Sequence, residues 1–424
     1  MQIDMKKRIK ILATLLSLLL PILTVTPALS QAEKGFYTVK GVVKDKTTNK
    51  TLEYTNIFVS GTNIGTVSNK DGEFSIKIKN ELNAKTIEVS RIGYSSEVIA
   101  VKGVNIDNLV VYLSPRDNVL TEITILGMDP EMIIREAISR IGDNFSNQEN
   151  LLSGFYRETV RKRSTYVNVA EAIVEIFKTK YTDNYEGDRV QVYKGRRIVS
   201  PKANDTLVVK LLGGPNLSIY LDVVKNPDLM LNPASLGDYT YKMEMPVMID
   251  DRQNYVVSFA PQVVLPYPLY YGKYYIDRES LTFSRIEFSL SMDDRNKVTQ
   301  MILKKKPFSL RFKPEEVSYL VTYKRLGDKS YLNYVKSEIQ FKCDWKKKLF
   351  STNYAIVAET VITKVSNDIP LKFTKKYAFN DNYSLSDKVD DFYDENFWED
   401  YNIIEPEQSL ENAVNKLRKT INKK

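Results

Sequence analysis

The sequence predicts a mainly β protein: an N-terminal seven-stranded β-sandwich, a linking helix, then a larger antiparallel β-rich α+β domain. Three observations point there. Tyrosine is abundant, at 27 copies against 2 tryptophans, and it favours half-buried pleated surfaces. Short alternating apolar runs separated by turn chemistry fill positions 36–115. Longer alternating runs recur from 151 to 364. With 424 residues, the chain can form two or three units that each bury a core. Apolar residues at 43% and charged residues at 27% are globular proportions and exclude wholesale disorder.

In chain order, Lys6, Lys7, Arg8 and Lys10 form a positive n-region, and Ile11 to Leu23 form an apolar stretch. Ala28-Leu29-Ser30 then gives the small-x-small pattern of a signal-peptidase site. Ser17 and Pro21 interrupt the run, which falls short of the ~20 apolar residues of a spanning helix. Residues 1–30 are therefore expected to be a cleaved signal peptide, with Gln31 leading the mature chain. That places the protein in the periplasm or at the outer membrane. No cysteine lies near the junction, so a lipoprotein is not expected, and no later run is long and apolar enough to span a membrane. The net charge of +8 falls to about +5 without residues 1–30, too mild to argue for nucleic acid.

The first domain, 34–116, reads as strands at Phe36–Lys44, Tyr54–Ser60, Ile64–Ser68, Glu73–Lys79, Thr86–Ile92, Ser96–Val101 and Asn108–Leu113. Asn69-Lys70-Asp71-Gly72 is hairpin chemistry, because Asp-Gly readily takes the positive φ of tight β-turns. Gly41-Val42-Val43, Leu52 to Val59, Gly61 to Thr66, Asn69 to Ser75 and Ile92-Gly93-Tyr94, in that order, resemble the carboxypeptidase-regulatory-like domain. The resemblance implies a prealbumin-like sandwich, common at the front of Gram-negative envelope proteins and TonB-dependent receptors. It does not imply peptidase activity, since in peptidases that carry it the zinc site lies in a different domain.

Residues 117–128 read as a linker and 129–424 as the second domain. Asp129-Pro130 supplies an N-cap carboxylate and a first-turn proline. Met132, Ile133, Ile134, Ala137, Ile138 and Ile141 give the helix an apolar face, and Gly142 can end it. Leu151–Arg161 and Tyr166–Lys178 read as a hairpin. Further strands are predicted at Tyr255–Ala260, Tyr271–Ile276, Leu281–Met292, Val298–Leu303, Val317–Lys324, Tyr331–Trp345 and Tyr354–Lys364. Between Tyr181 and Met248 the pattern weakens, and loops with a short helix are expected. Gly154 to Glu158 and Phe397 to Pro406 resemble stretches of exported proteins that pair this front domain with an uncharacterised β-rich region. Gly272 to Asp277 with Leu281 to Phe288 resembles a hairpin of lipoprotein-carrier half-barrels. A TonB-dependent barrel needs ~22 strands of ~10 residues, more than the remaining chain supplies. The chain also ends in a polar, basic segment after an amphipathic helix (Leu410, Ala413, Val414, Leu417), where an apolar closing strand would be needed.

The chain has no histidine, which excludes Ser-His-Asp and Cys-His catalysis and HExxH zinc sites. Gly213-Gly214-Pro215 lacks phosphate-loop spacing. The adjacent acids Asp250-Asp251, Asp293-Asp294 and Glu315-Glu316 read as turn or surface residues, since strand neighbours point to opposite faces. The acidic run from Asp387 to Asp400 lacks the glycine and oxygen spacing of a calcium loop. Its Phe392, Tyr393, Phe397 and Trp398 predict that it docks onto the body. Cys343, the single cysteine, falls on the apolar face of a strand with Ile339, Phe341 and Trp345 and reads as a structural thiol. No cofactor or metal is expected.

Tyr267, Tyr270, Tyr271, Tyr274 and Tyr275 form the densest aromatic patch and the candidate ligand or partner surface. It is expected at the rim of a groove between the sheet and the 129–142 helix. The resulting expectation is a non-catalytic exported envelope protein. It would bind a partner, such as an outer-membrane protein, or an apolar or amphipathic ligand through its second domain. Two alternatives are a carboxylate-dependent hydrolase, for example on glycans, and an accessory subunit of a TonB-type outer-membrane uptake complex.

Overall fold

The computed structural model describes residues 35–116, 128–202, 213–302, 310–345, 351–369, 375–391 and 397–421. The expected signal peptide and most of the linker lie outside the described residues, as do Phe392, Tyr393, Asp394 and Glu395 of the acidic run.

The front domain comprises β1 (Phe36–Asp45), β2 (Asn56–Val59), β3 (Gly65–Val67), β4 (Glu73–Lys79), β5 (Thr86–Ser90), β6 (Glu97–Ala100) and β7 (Ile106–Leu113). They form two sheets, ordered β4-β1-β7 and β3-β2-β5-β6. Alternation along each strand turns Val39, Val43, Ile57, Ile76, Ile87 and Val89 inward, where all are buried. At the β3–β4 connection the Asn69 amide donates to the Glu73 carbonyl at 2.9 Å and the Gly72 amide to the Asn69 carbonyl at 3.0 Å. Gly72 sits at φ +76, and a Cβ there would stand 2.8 Å from the Val43 carbonyl oxygen. Gly72→Val should therefore destabilise the protein by roughly 1–3 kcal/mol in denaturant melts. Lys70→Ala, at an exposed turn position, should change little. Equal melting of the two variants would contradict this account of the turn.

The second domain begins with α1 (Pro130–Ser139) and α2 (Ile141–Asn144). The Asp129 carboxylate accepts from the Glu131 amide at 2.9 Å, capping α1. Then come β8 (Asn150–Lys162), β9 (Thr165–Lys178), β10 (Arg189–Val199), α3 (Leu217–Tyr220), β11 (Tyr239–Ile249), β12 (Arg252–Pro261), β13 (Tyr270–Asp277) and β14 (Phe283–Leu290). They are followed by α4 (Arg295–Ile302), β15 (Leu310–Leu326), β16 (Lys329–Trp345), β17 (Thr352–Ser366), β18 (Asp390–Asp391) and α5 (Gln408–Ile421). One 11-stranded sheet runs β11-β12-β13-β14-β15-β16-β17-β8-β9-β10-β18. It is a meander from β11 to β17, completed by the earlier β8–β9 hairpin docking antiparallel against β17. Among the described strands of this sheet, only the two-residue β18 pairs parallel.

The inner face of this sheet is covered. Ile133, Ile134 and Ala137 of α1 pack into its core, as do Ile219, Met230 and Leu231 from the segment after β10. Cys343 lies in the same core, and burial pushes its thiol up to about 11, so it stays protonated and inert.

Two expectations need correction. Residues 298–303 are expected as a strand, but 295–302 form α4. The Asp294 carboxylate accepts from the Asn296 amide at 2.9 Å, starting the helix, and Val298 is its buried contact. The loops expected across 181–248 contain two full strands, β10 and β11. β11 is a sheet edge, and β10 buries only Val190 and Ile198, so neither shows clean alternation.

Candidate functional site

The outer face of the sheet carries the front domain, and a C-terminal segment is wedged between the two. Phe155 and Ile173 project outward from β8 and β9 and meet Phe397 and Trp398, which are buried. Trp398 packs edge-on against Phe155 at 5.5 Å, and the Arg196 guanidinium lies 4.6 Å from the Trp398 ring centre. Glu171 accepts from Arg157 at 2.8 Å and from Arg196 at 3.0 Å, and Arg157 also donates to the Ile404 carbonyl at 2.7 Å. On the sandwich side, the Asn402 side chain accepts from the Lys77 amide at 2.7 Å and donates to the Lys77 carbonyl at 3.2 Å. It thereby satisfies the open edge of β4 as a neighbouring strand would. Thr66 donates to the Ile403 carbonyl at 2.9 Å, and Asp71 of the glycine turn accepts from the Gln408 amide at 2.8 Å. Residues 397–408 thus fasten both domains, as their aromatics predict.

A second set of contacts is direct. Asp250 and Asp251 form the two-residue β11–β12 turn with φ of +49 and +57, conformations that Asp tolerates. Asp250 Oδ1 accepts from Ser90 of the sandwich at 2.6 Å, while Oδ2 accepts from Lys324 at 2.9 Å. Burial alone would raise this carboxyl, but Lys324 and Ser90 outweigh it and hold it below the usual carboxylate range. Its stabilising contribution is therefore present above the unfolded pKa and lost as pH falls through the depressed one. In melts from pH 7 to pH 3, the stability advantage of wild type over Asp250→Asn should persist to about pH 4 and shrink below it. A pH-independent difference would contradict that assignment.

Beside this contact a cleft of about 710 Å³ opens between the domains. Phe58, Asn63 and Glu88 wall it on the sandwich side, and Lys324, Arg325 and Tyr331 on the sheet side. Its volume falls in the ~300–1,000 Å³ range of small-molecule sites. Arg252 in its wall is held by Asp277 at 2.6 and 2.8 Å, and Lys324 by Asp250, with Glu88 3.8 Å away. Arg325 differs. Its Nε donates to the Gly327 carbonyl at 3.1 Å, and among the described residues no carboxylate lies within ion-pair distance of it. An oriented, exposed guanidinium therefore faces the cleft.

The five candidate tyrosines are divided between environments. Tyr270 and Tyr274 are in the inner core, Tyr274 stacked on Phe259 at 4.4 Å with its hydroxyl donating to the Met230 carbonyl at 3.2 Å. Tyr275, on the opposite face, is buried and donates to Glu287 at 3.1 Å. Tyr267 and Tyr271 remain exposed, at 58% and 47%. The period of two explains the split, since residues 270 and 274 face inward while 271 and 275 face outward. The groove expected at their rim is filled by α1 and the segment carrying Ile219 and Met230. The residues that do line the large cleft come from the β2–β3, β11–β12 and β15–β16 hairpins, from Glu88 of β5 and from the end of β17, and no sequence spacing connects them.

Among the described residues, no group of three or more His, Cys, Asp or Glu could hold a metal, and no helix is long and apolar enough to cross a membrane. Residues 39–125 match the model of the CarboxypepD_reg-like domain family. The front sandwich is similar to that family over nearly its whole length. No curated protein matches the chain significantly. Among solved structures, a DUF1329 family protein from Desulfovibrio piger is similar at 8% identity and a TM-score of 0.26, over 59% of this chain and 100% of that one. A LolA superfamily protein from Nitrosomonas europaea is similar at 13% identity and a TM-score of 0.20, with coverage of 59% and 100%. The regulatory-like domain thus supplies one wall of the 710 Å³ cleft and the large sheet the other.

Proposed function

We propose that the protein is a non-catalytic, exported envelope protein that holds a polar or amphipathic ligand in the cleft between its regulatory-like domain and its large sheet. One observation carries the reading: both domains wall a single ligand-sized cleft, and the 397–408 wedge fixes their spacing. Arg325 offers a charge-assisted contact, and Phe58, Leu326 and Val365 add apolar wall beside it, so a ligand with a charged end and an apolar body fits. Binding is favoured over turnover because Asp250 commits both oxygens to Ser90 and Lys324, and the chain has no histidine to serve as base. Export is supported by the basic n-region, the apolar run and Ala28-Leu29-Ser30.

Native mass spectrometry of gently purified protein should show a retained small molecule. Arg325→Glu should reduce its occupancy by about tenfold, the loss of one charged hydrogen bond plus repulsion. Tyr271→Ala, distant from the cleft lining, should retain it. Equal occupancy in wild type and Arg325→Glu would contradict the reading.

A further inference from the structure

The seam holds a second, smaller opening. Arg91 directly follows β5, and its loop is pinned to the sheet on both sides. Ser90 donates to Asp250 at 2.6 Å, and the Gly93 amide donates to the Met248 carbonyl at 2.8 Å. The Arg91 side chain lines a crevice of about 250 Å³ between the sandwich and the outer face of β14, β15 and β16. Arg285 and Lys336 share that crevice, but each is matched, by Glu287 at 2.6 Å and by Glu338 at 3.0 Å. Arg91 is not matched. Among the described residues no carboxylate lies within ion-pair distance of its guanidinium, whose aromatic neighbour is the Tyr94 ring, 5.8 Å away.

That arrangement costs stability. Burial lowers the pKa of Arg91, although Tyr94 and Glu53 act in the opposite sense, so a half-desolvated cation stands without a neutralising contact. A second cost lies on the same wall. Tyr54 adopts φ +53, a left-handed conformation that is strained for an aromatic residue, and its ring contacts Lys336 Nζ at 5.1 Å. An unmatched guanidinium and a strained residue facing one opening are the mark of a surface shaped for something other than stability.

We propose that this crevice is a carboxylate-binding site, in which the planar fork of Arg91 takes both oxygens of a monoanion beside Arg285. Guanidinium donors match carboxylate geometry in pairs. Glu53, Glu287 and Glu338 also line the crevice, so a phosphate dianion meets more repulsion than a carboxylate does. Peptide C-termini and uronic acids share the chemistry that fits. Arg91 does not line the 710 Å³ cleft, so loss of binding there would leave this site intact.

The test titrates the full chain calorimetrically with N-acetylglycine, sodium glucuronate and phosphate, each against chloride at matched ionic strength. The two carboxylates should bind and phosphate should not, and whichever carboxylate binds more tightly indicates a peptide or a glycan source. Arg91→Met should weaken carboxylate binding by about tenfold or more, the loss of a charged bidentate pair. In chloride alone it should melt at or above the wild-type temperature, because the unmatched cation is gone. Equal carboxylate affinity in wild type and Arg91→Met, or phosphate binding as tightly as carboxylate, would overturn the proposal. If Arg91→Met does not fold, Arg91→Lys, which keeps the charge without the fork, should still weaken binding several-fold, and unchanged affinity would overturn it.

Discussion

Trp398→Ala should cost about 3–5 kcal/mol, the usual penalty for truncating a buried aromatic. Trp398 is 5% exposed and packs against Phe155, Phe397 and the Arg196 guanidinium, so the truncation leaves a void at the centre of the wedge. The consequence extends beyond local packing. Asn402 through its side-chain amide, and Ile403, Ile404 and Gln408 through their backbone groups, hold the sandwich and the sheet with hydrogen bonds that need this segment in register. Wild type should unfold in one transition, because the wedge couples the domains. The variant should show two, the regulatory-like domain separating from the sheet. A single transition with unchanged midpoint would show that the wedge fastens nothing.

Asp222→Asn should be comparably severe for a different reason. Asp222 is fully buried in the segment that covers the inner face. It accepts from Lys178 at 2.7 Å, from the Tyr181 hydroxyl at 3.0 Å and from the Tyr323 hydroxyl at 2.8 Å. Asp188 lies 3.0 Å from the same Lys178 ammonium. Burial alone would lower the Lys178 pKa, yet Asp188 and Asp222 outweigh it and hold it above the ordinary value. Lys225 is buried within 4.0 Å of Asp188, so removing the Asp222 charge leaves two buried ammonium groups to one carboxylate. Breaking such a cluster costs about 3–5 kcal/mol. Denaturant melts check the figure, and a loss below about 1 kcal/mol would mean that water reaches the cluster.

The sandwich was legible because its longer strands place apolar residues at alternate positions, as Phe74, Ile76 and Ile78 in β4 and Ile87 and Val89 in β5, and because its turns carry local chemistry, Asp71-Gly72 above all. The β8–β9 hairpin and the docking of Phe397 and Trp398 were legible for the same reason: local pattern determined them. β10 escaped because Lys194, Arg196 and Arg197 replace its alternation with charge. Arg196 is matched by Glu171 from β9, a partner that only the folded sheet supplies. The tyrosine cluster is close in sequence but not one surface, since neighbours on a strand are divided between its two faces. The cleft was illegible for a more general reason. Phe58 in β2, Asn63 in the β2–β3 turn, Asp250 in the β11–β12 turn and Arg325 near the end of β15 meet only when two domains pack, and no single stretch of sequence encodes that meeting.

The most direct test of the account is hydrogen exchange of the full-length protein, isolated with its retained small molecule and compared with the same protein after that molecule is dialysed away. Binding in the interdomain cleft predicts joint protection of the 61–63, 250–252 and 324–327 turns, one from the regulatory-like domain and two from the sheet. Protection confined to one domain, or centred on residues 267–275, would contradict it.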